Sequence, residues 1–515
     1  MPEFAREIAA ARPEEVALRD SRRAMTWADV GDVLDRVANR LLATDLGPRR
    51  RVAVFAENAN ETALAHLGGL LGGASTVPVN FHLTAAEAAY ILADSDSRIV
   101  FVGPQTVDRA VEAVETVHAQ TGFRPALVAW RCPDATACEP WLDWVAAGPL
   151  GDPPTDIEPL PNMLYTSGTT GLPKGTELPP TMFAGGATMV EHIAALKLNR
   201  YADFGTHLVV GPMYHTGPLS GMRLLVAGKA SVILDRFDAE QTLQTINDYR
   251  TESSVMVPTH FIRLLALPDE VKAKYDVSSM QLVAHTGAAC PIDVKRAMID
   301  WWGPIFVDAY GATEVGTTCS ITSEEWLLNP GSVGRAIPPF EVVVLGDDDS
   351  PVPAGVEGRL YFRDTTGRGV VYPNDPVKTA AAHIAPGVFT LGEIGYVNDD
   401  GYVFITDRFS DMVVSGGVNI YPAEAEQVLL QHPGVADVGC IGVPHAEMGE
   451  ELKALVIAAD PLAPPDAVEL LAFCRSRLSH YKCPRSIDFV DDLGRNTMGK
   501  VNKRALRAPY WKPVA

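Results

Sequence analysis

Short apolar segments and amphipathic segments alternate along the first hundred residues, and this alternation is the strongest constraint on the fold. Residues 26–42 carry an apolar helical face that consists of Val30, Val33, Leu34, Val37 and Leu41. Thr26 and Asp29 form a capping-box pattern at the start of this segment. Buried strands are indicated by the apolar runs at 51–58, 75–80 and 98–103. Because helical patterns separate these runs, the sequence predicts parallel α/β layers.

The length and the change of pattern along the chain predict more than one domain. A chain of 515 residues is too long for one ordinary core. From about Pro330, short strands with Gly and Pro turns indicate a β-rich module. Later, Pro422 opens a helical pattern with Gly434 just past its end. The predicted fold is α/β, with a large N-terminal domain (1–407) of layered α/β subdomains plus the β-rich module, and a small α+β C-terminal domain (408–515).

The charge balance excludes two classes of partner. The 64 acidic and 43 basic residues give a formal net charge of −21, which disfavours binding to nucleic acid or anionic membrane. No apolar stretch approaches the roughly 20 residues that span a bilayer, and the N-terminus lacks a signal-peptide pattern. The seven cysteines form no C-x-x-C pair, which argues against a disulfide framework or a zinc site. We expect a cytoplasmic protein without a transmembrane segment, and a homodimer is compatible with the sequence.

The stretch YTSGTTGLPKG, residues 165–175, concentrates glycine, hydroxyl groups and one lysine after a short apolar run. Backbone N–H groups, hydroxyls and an ammonium suit a loop that holds phosphates. The spacing matches neither G-x-x-x-x-G-K-[ST] nor G-x-G-x-x-G, because Lys174 is followed by Gly175. A phosphate loop of another architecture and an ordinary surface turn are the two interpretations.

Two further stretches carry groups that suit a nucleotide. In DAYGATEVG, residues 308–316, the Tyr310 ring can stack on a base and the Glu314 carboxylate can hold Mg²⁺. Glu393 and Arg408 lie on opposite sides of a hairpin-like stretch, where a carboxylate can accept from ribose hydroxyls. Each stretch also reads as an ordinary turn with solvated charges.

Three single features are weak alone. Gly416 and Gly417 would let a ligand pass close to the backbone, and they are equally typical of a turn. Lys500 lies in a polar loop, where most lysines only face solvent. His215 stands beside apolar residues, where a core histidine is the commoner interpretation. The sequence contains no Cys/His cluster with metal-ligand spacing and no G-x-S-x-G elbow.

The order of these stretches along the chain resembles the adenylate-forming superfamily. The motifs are YTSGTTGLPKG, PMYHTGPLS, DAYGATEVG, LGEIGYVNDDGY, DRFSDMVVSGGVNIYP and NTMGKVNKRAL, and they cover nearly the whole chain. The resemblance implies an AMP-forming acid–thiol ligase that uses ATP, Mg²⁺ and CoA. A carboxylate would attack the α-phosphate of ATP to give acyl-AMP and pyrophosphate, and a thiol would then displace AMP. Such phosphoryl chemistry depends on positioning and on charge neutralisation.

The resemblance also implies roles for individual residues. The pyrophosphate would be held by Thr166, Ser167, Gly168, Thr169, Thr170 and Lys174. The adenine site would consist of Gly287, Ala288, Ala289, Asp308, Ala309, Tyr310 and Gly311. Thr313 would contact the α-phosphate, Glu314 would ligate Mg²⁺, and Glu393 with Arg408 would hold the ribose. Lys500 would bridge the substrate carboxylate and the α-phosphate. The catalytic set implied is Lys500, Thr166, Glu314 and His215.

Members of the superfamily rotate a small C-terminal domain between the two half-reactions. By resemblance, Ser410 is the hinge, the Gly416–Gly417 loop lines a pantetheine tunnel for CoA, and His215 occupies an aromatic gate position. Three residues depart from the usual pattern: Glu393 replaces an Asp, Leu391 stands where a hydroxyl is common, and Ser410 replaces a charged hinge residue. These departures leave the nucleotide affinity and the rate of rotation open.

The resemblance also bears on the substrate class. Members of the superfamily that activate amino acids place an Asp in the segment that contains His215, where it pairs with the ammonium. Residues 211–228 contain no Asp or Glu, so an α-amino acid is disfavoured. A hydrophobic fatty, aryl or steroid-type acid fits the glycine, alanine and methionine positions of the stretches TGPLSGM, HTGAA and VMVPTHF. Two alternatives to an acyl-CoA synthetase stay open. One is an acyl-AMP ligase that delivers to a carrier protein, and the other is a catalytically silent nucleotide-binding protein.

Overall fold

A computed structural model describes residues 10–166, 173–199, 203–288, 290–346, 348–372, 375–408, 412–494, 501 and 503–511. Near its start, the helix Trp27–Ala43 has the predicted capping box: Thr26 N donates to Asp29 Oδ2 at 2.9 Å, and Asp29 N donates to Thr26 Oγ1 at 3.2 Å. Val30, Leu34, Val37 and Leu41 of the predicted apolar face are buried, and Val33 is partly buried against the same core. Local capping chemistry therefore places the first helix as the sequence indicates.

The first sheet is parallel throughout, as the alternating pattern predicts. Its strands, in spatial order, are Ser75–Val79, Arg51–Phe55, Ile99–Val102, Ala126–Ala129 and Glu139–Pro140. The helices associated with it are Trp27–Ala43, Asn60–Leu71, Ala85–Ser95, Val107–Thr121 and Trp141–Ala146. The helix Asn60–Leu71 is buried on all sides, because the helix Trp27–Ala43 covers the face that points away from the sheet.

A second, larger sheet begins parallel and becomes antiparallel. Its parallel strands are Val16–Arg19, Ser231–Ile233, His207–Val209, Ser253–Met256, Leu282–His285 and Phe306–Ala312. Its antiparallel strands are Ala24–Thr26, Gly316–Thr322, Ser332–Ala336, Phe340–Leu345, Gly358–Asp364, His383–Ala385, Val388–Phe389, Glu393–Val397 and Val403–Arg408. The change of pattern expected near Pro330 therefore corresponds to a real change of strand direction, which begins slightly earlier, at Gly316.

Helices and turns connect the strands of this part of the chain. The helices are Pro180–Phe183, Met189–Lys197, Thr216–Met222, Ala239–Tyr249, Pro258–Leu265, Asp269–Lys272, Ile292–Trp302, Ser323–Leu328 and Pro376–Ala381, with a 3₁₀ turn at Arg223–Ala227. A separate two-stranded hairpin is formed by Met163–Thr166 and Lys174–Glu177. No helix within the described ranges combines the length and the apolar character that crossing a bilayer requires.

The strands from Val413 onward form a sheet of their own. They are Val413–Ser415, Val418–Ile420, Val435–His445, Gly449–Ala458 and Ser486–Phe489. The accompanying helices are Pro422–Leu429, Ala467–Arg475 and Lys503–Arg507, with a 3₁₀ turn at His480–Lys482. This mixed sheet with its own buried core has the α+β character that the sequence predicts.

One predicted helix end is wrong. The helix that Pro422 opens ends at Leu429, and it does not extend to Gly434. Pro433 explains the early stop, because it lacks an N–H group and disfavours helical backbone at the residue before it. Gly434 instead donates its N–H to His432 Nδ1 at 3.1 Å, within the turn that leads to the next strand.

Candidate functional site

The stretch 165–175 forms the tip of the antiparallel hairpin, with Thr166 opposite Lys174 in register. Ser167, Gly168, Thr169 and Thr170 lie outside the described residues, as does the side chain of Thr166. Lys174 begins the second strand, and its ammonium forms an ion pair with the carboxylate of Asp375. Asp375 also caps the helix Pro376–Ala381, because its Oδ1 accepts from Lys378 N at 2.9 Å. The predicted phosphate role of this stretch stays a prediction.

The stretch 308–316 belongs to a central strand of the large sheet and to the turn after it. Asp308, Ala309, Tyr310 and Gly311 lie within the strand Phe306–Ala312. A Cβ atom at Gly311 would lie only 1.9 Å from the carbonyl oxygen of Gly316 on the next strand. Only glycine therefore fits at position 311, where the register between the two strands shifts.

Asp308 is held in a buried cluster that the sequence reading missed. Its carboxylate pairs with the ammonium of Lys295, and His285 Nε2 lies 2.7 Å from its Oδ1. Parallel pairing brings His285 and Asp308 into register on adjacent strands. Burial alone would raise the pKa of Asp308, but His285 and Lys295 outweigh this effect and lower it. Burial lowers the pKa of Lys295. The carboxylate is therefore an anion that two basic side chains already orient.

Glu314 lies in the turn after the strand, among other charged groups. The Tyr372 hydroxyl donates to Glu314 Oε1 at 3.2 Å, and Arg368 Nη1 donates to the Glu314 carbonyl oxygen at 3.2 Å. Burial and the Glu314 charge together raise the pKa of Tyr372. The ammonium of Lys378 lies 4.0 Å from the centre of the Tyr372 ring. A carboxylate oxygen in this position is the kind of donor that Mg²⁺ prefers when phosphates complete its shell.

Within the described ranges, no cluster of three or more His, Cys, Asp or Glu side chains has the arrangement of a metal site. A Mg²⁺ ion at Glu314 would therefore need ligands from a bound phosphate group in addition to this one carboxylate.

Glu393 and Arg408 face each other across antiparallel strands, as the hairpin interpretation predicts. The strands Glu393–Val397 and Val403–Arg408 pair in a register that puts these two residues opposite each other. Glu393 is 7% exposed. The side chain of Arg408 lies outside the described residues, and so do Ser410, Lys500 and Ala289. The roles that the resemblance implies for these residues stay predictions.

Gly416 and Gly417 form the tight turn between the strands Val413–Ser415 and Val418–Ile420, and we call this turn the glycine hairpin. Their φ angles of +60° and +81° suit a two-residue hairpin turn of type I′, which glycine adopts without steric cost. A Cβ atom at Gly417 would lie 3.0 Å from Val257 Cγ1, and one at Gly287 would lie 3.6 Å from Gly417 O. The glycine hairpin therefore rests against the segment that carries Val257 and the predicted adenine wall.

A cleft lies between the glycine hairpin and the first part of the chain. Its lining includes, from the first part, Asn80, Tyr165, Tyr214, His215, Thr216 and Thr313. From the C-terminal part, it includes Gly417, Val418, Asn419, Tyr421, Tyr481 and Lys482. The structure thus brings together the predicted gate, the predicted α-phosphate contact and the predicted tunnel glycine. The aromatic pair Tyr421 and Tyr481 was missed, because these residues come from segments distant in sequence.

His215 borders this cleft as a neutral side chain. It precedes the helix Thr216–Met222, and its ring centre lies 4.4 Å from that of Tyr214. Burial, with a smaller contribution from His82, lowers the pKa of His215 to about 4. The imidazole is therefore uncharged at neutral pH, which suits an apolar wall better than an acid or base.

Two family models match the chain. The model described as AMP-binding enzyme matches residues 5–370, and the model described as AMP-binding enzyme C-terminal domain matches residues 424–500.

Curated relatives are similar over nearly their whole length. A methyl-dioxo-octahydroindenyl-propanoyl:CoA ligase of Rhodococcus jostii is 32% identical over 517 residues, covering 96% of this chain and 95% of the relative. A feruloyl-CoA synthase of Amycolatopsis is 32% identical over 505 residues, with 97% and 96% covered. A fatty acid–acyl-carrier-protein ligase of Streptomyces coeruleorubidus is 31% identical over 517 residues, with 97% and 94% covered.

Solved structures share the fold. An amide bond synthetase of Marinactinospora thermotolerans has a TM-score of 0.81 at 24% identity, covering 99% of this chain and 100% of that one. A double mutant of the o-succinylbenzoate-CoA synthetase of Bacillus subtilis, bound to the product analogue OSB-NCoA, has a TM-score of 0.79 at 24% identity, with 98% of each chain covered. The same synthetase with the acyl-adenylate OSB-AMP has a TM-score of 0.63 at 24% identity, with 98% of each chain covered. With both family models matched along its length, the chain belongs to the AMP-binding enzymes, the adenylate-forming superfamily that its ordered motifs resemble.

Proposed function

We propose that this protein activates a hydrophobic carboxylic acid with ATP and then transfers the acyl group to CoA. In the first step, a carboxylate oxygen attacks the α-phosphate, and pyrophosphate leaves with its electron pair. In the second step, the CoA sulfur attacks the acyl carbonyl, and AMP leaves. The observation that carries the proposal is the cleft, because it brings His215, Thr313 and the glycine hairpin to one place. An acyl-adenylate carbonyl and an incoming thiol must meet in such a place.

Each half of the cleft suits one part of this chemistry. Thr313 lies beside Glu314, so an α-phosphate at Thr313 would be close to a carboxylate suited to Mg²⁺. The glycine hairpin exposes backbone without side chains, so a narrow chain such as pantetheine could run beside it. Asp308, Tyr310 and Glu393 would position adenine and ribose. We further propose Lys500 as the residue that neutralises charge during adenylation, and Ser410 as the hinge between domains 1–407 and 408–515.

The arrangement of the two parts of the chain favours the second half-reaction. The glycine hairpin contacts the Val257 segment, as thioester formation would need. The same Bacillus synthetase superposes better on this chain in its CoA-analogue complex, at 0.79, than in its acyl-adenylate complex, at 0.63. Both TM-scores compare how the parts of the chain are arranged, so they support an arrangement suited to the reaction with CoA. They carry no information about the acid.

The acid that we propose is fatty, aryl or steroid-type. The helix Thr216–Met222 brings small and apolar residues beside His215, and residues 211–228 contain no carboxylate for an amino acid's ammonium. Relatives whose names specify a fused-ring propanoate and a ferulate fit an acid of this bulk. A cytoplasmic location fits the seven free cysteines, and a homodimer stays a prediction.

A carrier protein is the second candidate for the acceptor. The relative named as a fatty acid–acyl-carrier-protein ligase favours it, since its identity of 31% is close to that of the CoA ligases. A silent nucleotide-binding protein is the weakest candidate, because Lys174 and Glu314 are both present and ordered into a charged cluster.

Mass spectrometry of the products tests these three candidates. The protein is incubated with ATP, Mg²⁺, CoA and a mixed panel of fatty, aryl and steroidal acids. A CoA thioester supports the proposed function and identifies the acid. Acyl-AMP that accumulates while CoA stays unchanged would instead favour the carrier-protein ligase. Absence of pyrophosphate release with every acid would contradict both ligase assignments.

A further inference from the structure

A buried cluster of charged groups joins the two parts of the chain beside the cleft. The ammonium of Lys482 donates to Glu424 Oε2 at 2.7 Å and to Glu87 Oε1 at 2.9 Å. Lys482 and Glu424 both belong to the C-terminal part of the chain, where Glu424 lies in the helix Pro422–Leu429. Glu87 belongs to the helix Ala85–Ser95 of the first part. Ser479 Oγ adds a bond to Glu87 Oε2 at 2.5 Å. We call Lys482, Glu87, Glu424 and Ser479 the interdomain cluster.

The interdomain cluster is buried enough for its charges to depend on each other. The side chains of Lys482 and Glu424 are 4% and 5% exposed, and that of Glu87 is 13% exposed. Burial alone would raise the pKa of Glu87, but Lys482 and Ser479 outweigh it and lower the pKa. A desolvated charge is costly unless a partner compensates it, so a movement that separates Glu87 from Lys482 must rehydrate both groups.

A second ion pair between the two parts, found among the residues that the structure describes, offers a natural comparison. Arg263 Nε donates to Glu447 Oε1 at 2.5 Å, but these side chains are 46% and 44% exposed. Pairs that water surrounds to this extent contribute little. The interdomain cluster is therefore better suited than this exposed pair to bias how the two parts sit relative to each other.

The cluster is also continuous with the cleft. Tyr481 and Lys482 line the cleft together with Gly417, and they lie in the 3₁₀ turn His480–Lys482, next to Ser479. When Lys482 binds Glu87, this turn is fixed against the first part of the chain, and the wall of the cleft is completed. Within the C-terminal part, the Lys482–Glu424 bond would survive a rotation, whereas the bonds of Lys482 and Ser479 to Glu87 would not.

We propose that Glu87 is a positioning residue for thioester formation: through Lys482 and Ser479, it stabilises the arrangement in which the glycine hairpin meets the acyl site. This inference rests on the proposed two-step function. It assigns to the Glu87 carboxylate the preference for the arrangement of the chain that suits thioester formation over the one that suits adenylation. Glu87 touches neither the acyl group nor CoA in this assignment. Its effect should therefore fall on the second half-reaction alone.

The change Glu87→Gln tests the assignment without destroying the helix. Glutamine can replace glutamate in a capping box, so the bond from Thr84 N, 2.8 Å long with Glu87, can be kept. With the amide oxygen at the position of Oε2, the bonds from Thr84 N and Ser479 can be kept, but the amide nitrogen then faces Lys482 and cannot accept from its ammonium. Losing this charged bond corresponds to about a tenfold change in an equilibrium. We expect thioester formation from supplied acyl-AMP to slow about tenfold in single-turnover measurements, while ATP–pyrophosphate exchange stays unchanged or becomes faster.

The matched control is Glu447→Gln, which removes the same charge from the exposed pair and should leave both rates within about twofold. Thermal unfolding of both variants establishes that each is folded. Equal slowing of both half-reactions by Glu87→Gln would overturn the proposal, and so would an unchanged thioester rate. If the unaltered protein forms acyl-AMP but no CoA thioester, the proposed function fails instead, and that result precedes any comparison of variants.

Discussion

The contact between Gly417 and Val257 leads to the sharpest prediction. Changing Gly417 to Ala adds one methyl group at a position with φ of +81°, where a Cβ atom would lie 3.0 Å from Val257 Cγ1. The backbone strain is present wherever the C-terminal part sits. The contact with Val257 exists only while the glycine hairpin rests on that segment. The substitution should therefore disfavour the arrangement in which the hairpin reaches the acyl site.

The two costs can be estimated separately. A left-handed backbone costs a residue with a Cβ atom about 1–2 kcal/mol, which should appear as lost stability of the C-terminal part. An inserted methyl group in a packed contact costs about 1–3 kcal/mol. Here this cost applies only to the arrangement in which the glycine hairpin rests on the Val257 segment. Taking the lower end, because Val257 can shift by a few tenths of an ångström, thioester formation should slow by about tenfold.

Single-turnover transfer from supplied acyl-AMP to CoA measures this effect, and ATP–pyrophosphate exchange serves as the reference. Gly416→Ala is the matched control: its φ is +60°, but its Cβ atom would lie 2.3 Å from Cε at the flexible end of Met448, in the turn that precedes the strand Gly449–Ala458. Adding Val257→Ala to the Gly417→Ala variant removes the nearest contact, Cγ1 at 3.0 Å, while Val257 Cβ at 3.3 Å stays, so the double variant should recover part of the lost rate. If the double variant transfers as slowly as the single one, the contact with Val257 does not cause the defect and the reasoning is refuted.

Three further outcomes are expected. Lys500→Ala should lower ATP–pyrophosphate exchange by on the order of 10²-fold while transfer from supplied acyl-AMP continues, and equal loss of both rates would contradict the role given to Lys500. Lys295→Met leaves the Asp308 carboxylate buried without its ammonium partner, so urea titration should give a free energy of unfolding lower by about 3–5 kcal/mol; an unchanged value would mean that the pair is not buried as described. Acid should also destabilise the fold, because burial lowers the pKa of five histidines to about 3 or 4: His66, His192, His207, His215 and His260. Between about pH 4 and 6.5 the unfolded chain binds more protons than the folded one. Each of these histidines should therefore lower the free energy of unfolding by about 1.4 kcal/mol per pH unit as the pH falls through that window. Denaturant midpoints that do not change between pH 7 and 5.5 would refute this.

Structural features that are set by residues close to each other along the chain could be predicted from the sequence. The capping box of Thr26 and Asp29 needs residues three apart, and the facing of Glu393 and Arg408 needs only one hairpin. Both are confirmed. The predicted end of the helix that begins at Pro422 is wrong, because Pro433 stops the helical backbone before Gly434 is reached.

Lys295 shows where an available signal was overlooked. In the helix Ile292–Trp302, the buried residues are Lys295, Met298, Ile299 and Trp302, which is an apolar face with one lysine in it. A lysine at such a position needs a buried carboxylate. The sequence names no partner, however, because Asp308 reaches Lys295 only through the pairing of strands in the large sheet.

The preference for the arrangement that suits one half-reaction could not be predicted from the sequence, because no local pattern encodes it. Lys482 and Glu87 are 395 positions apart, and each alone reads as an ordinary surface charge. Their bond and the fit of Gly417 against Val257 act on the same arrangement, one through charge and the other through shape. Losing the charged bond and inserting a methyl group each cost the arrangement about 1–3 kcal/mol, and a shift from one population ratio to its inverse, 1:99 to 99:1, takes about 5.5 kcal/mol. The two changes together therefore approach what is needed to invert the population, while one alone does not. It follows that Glu87→Gln combined with Gly417→Ala should slow thioester formation more than either change does, up to the product of their separate effects.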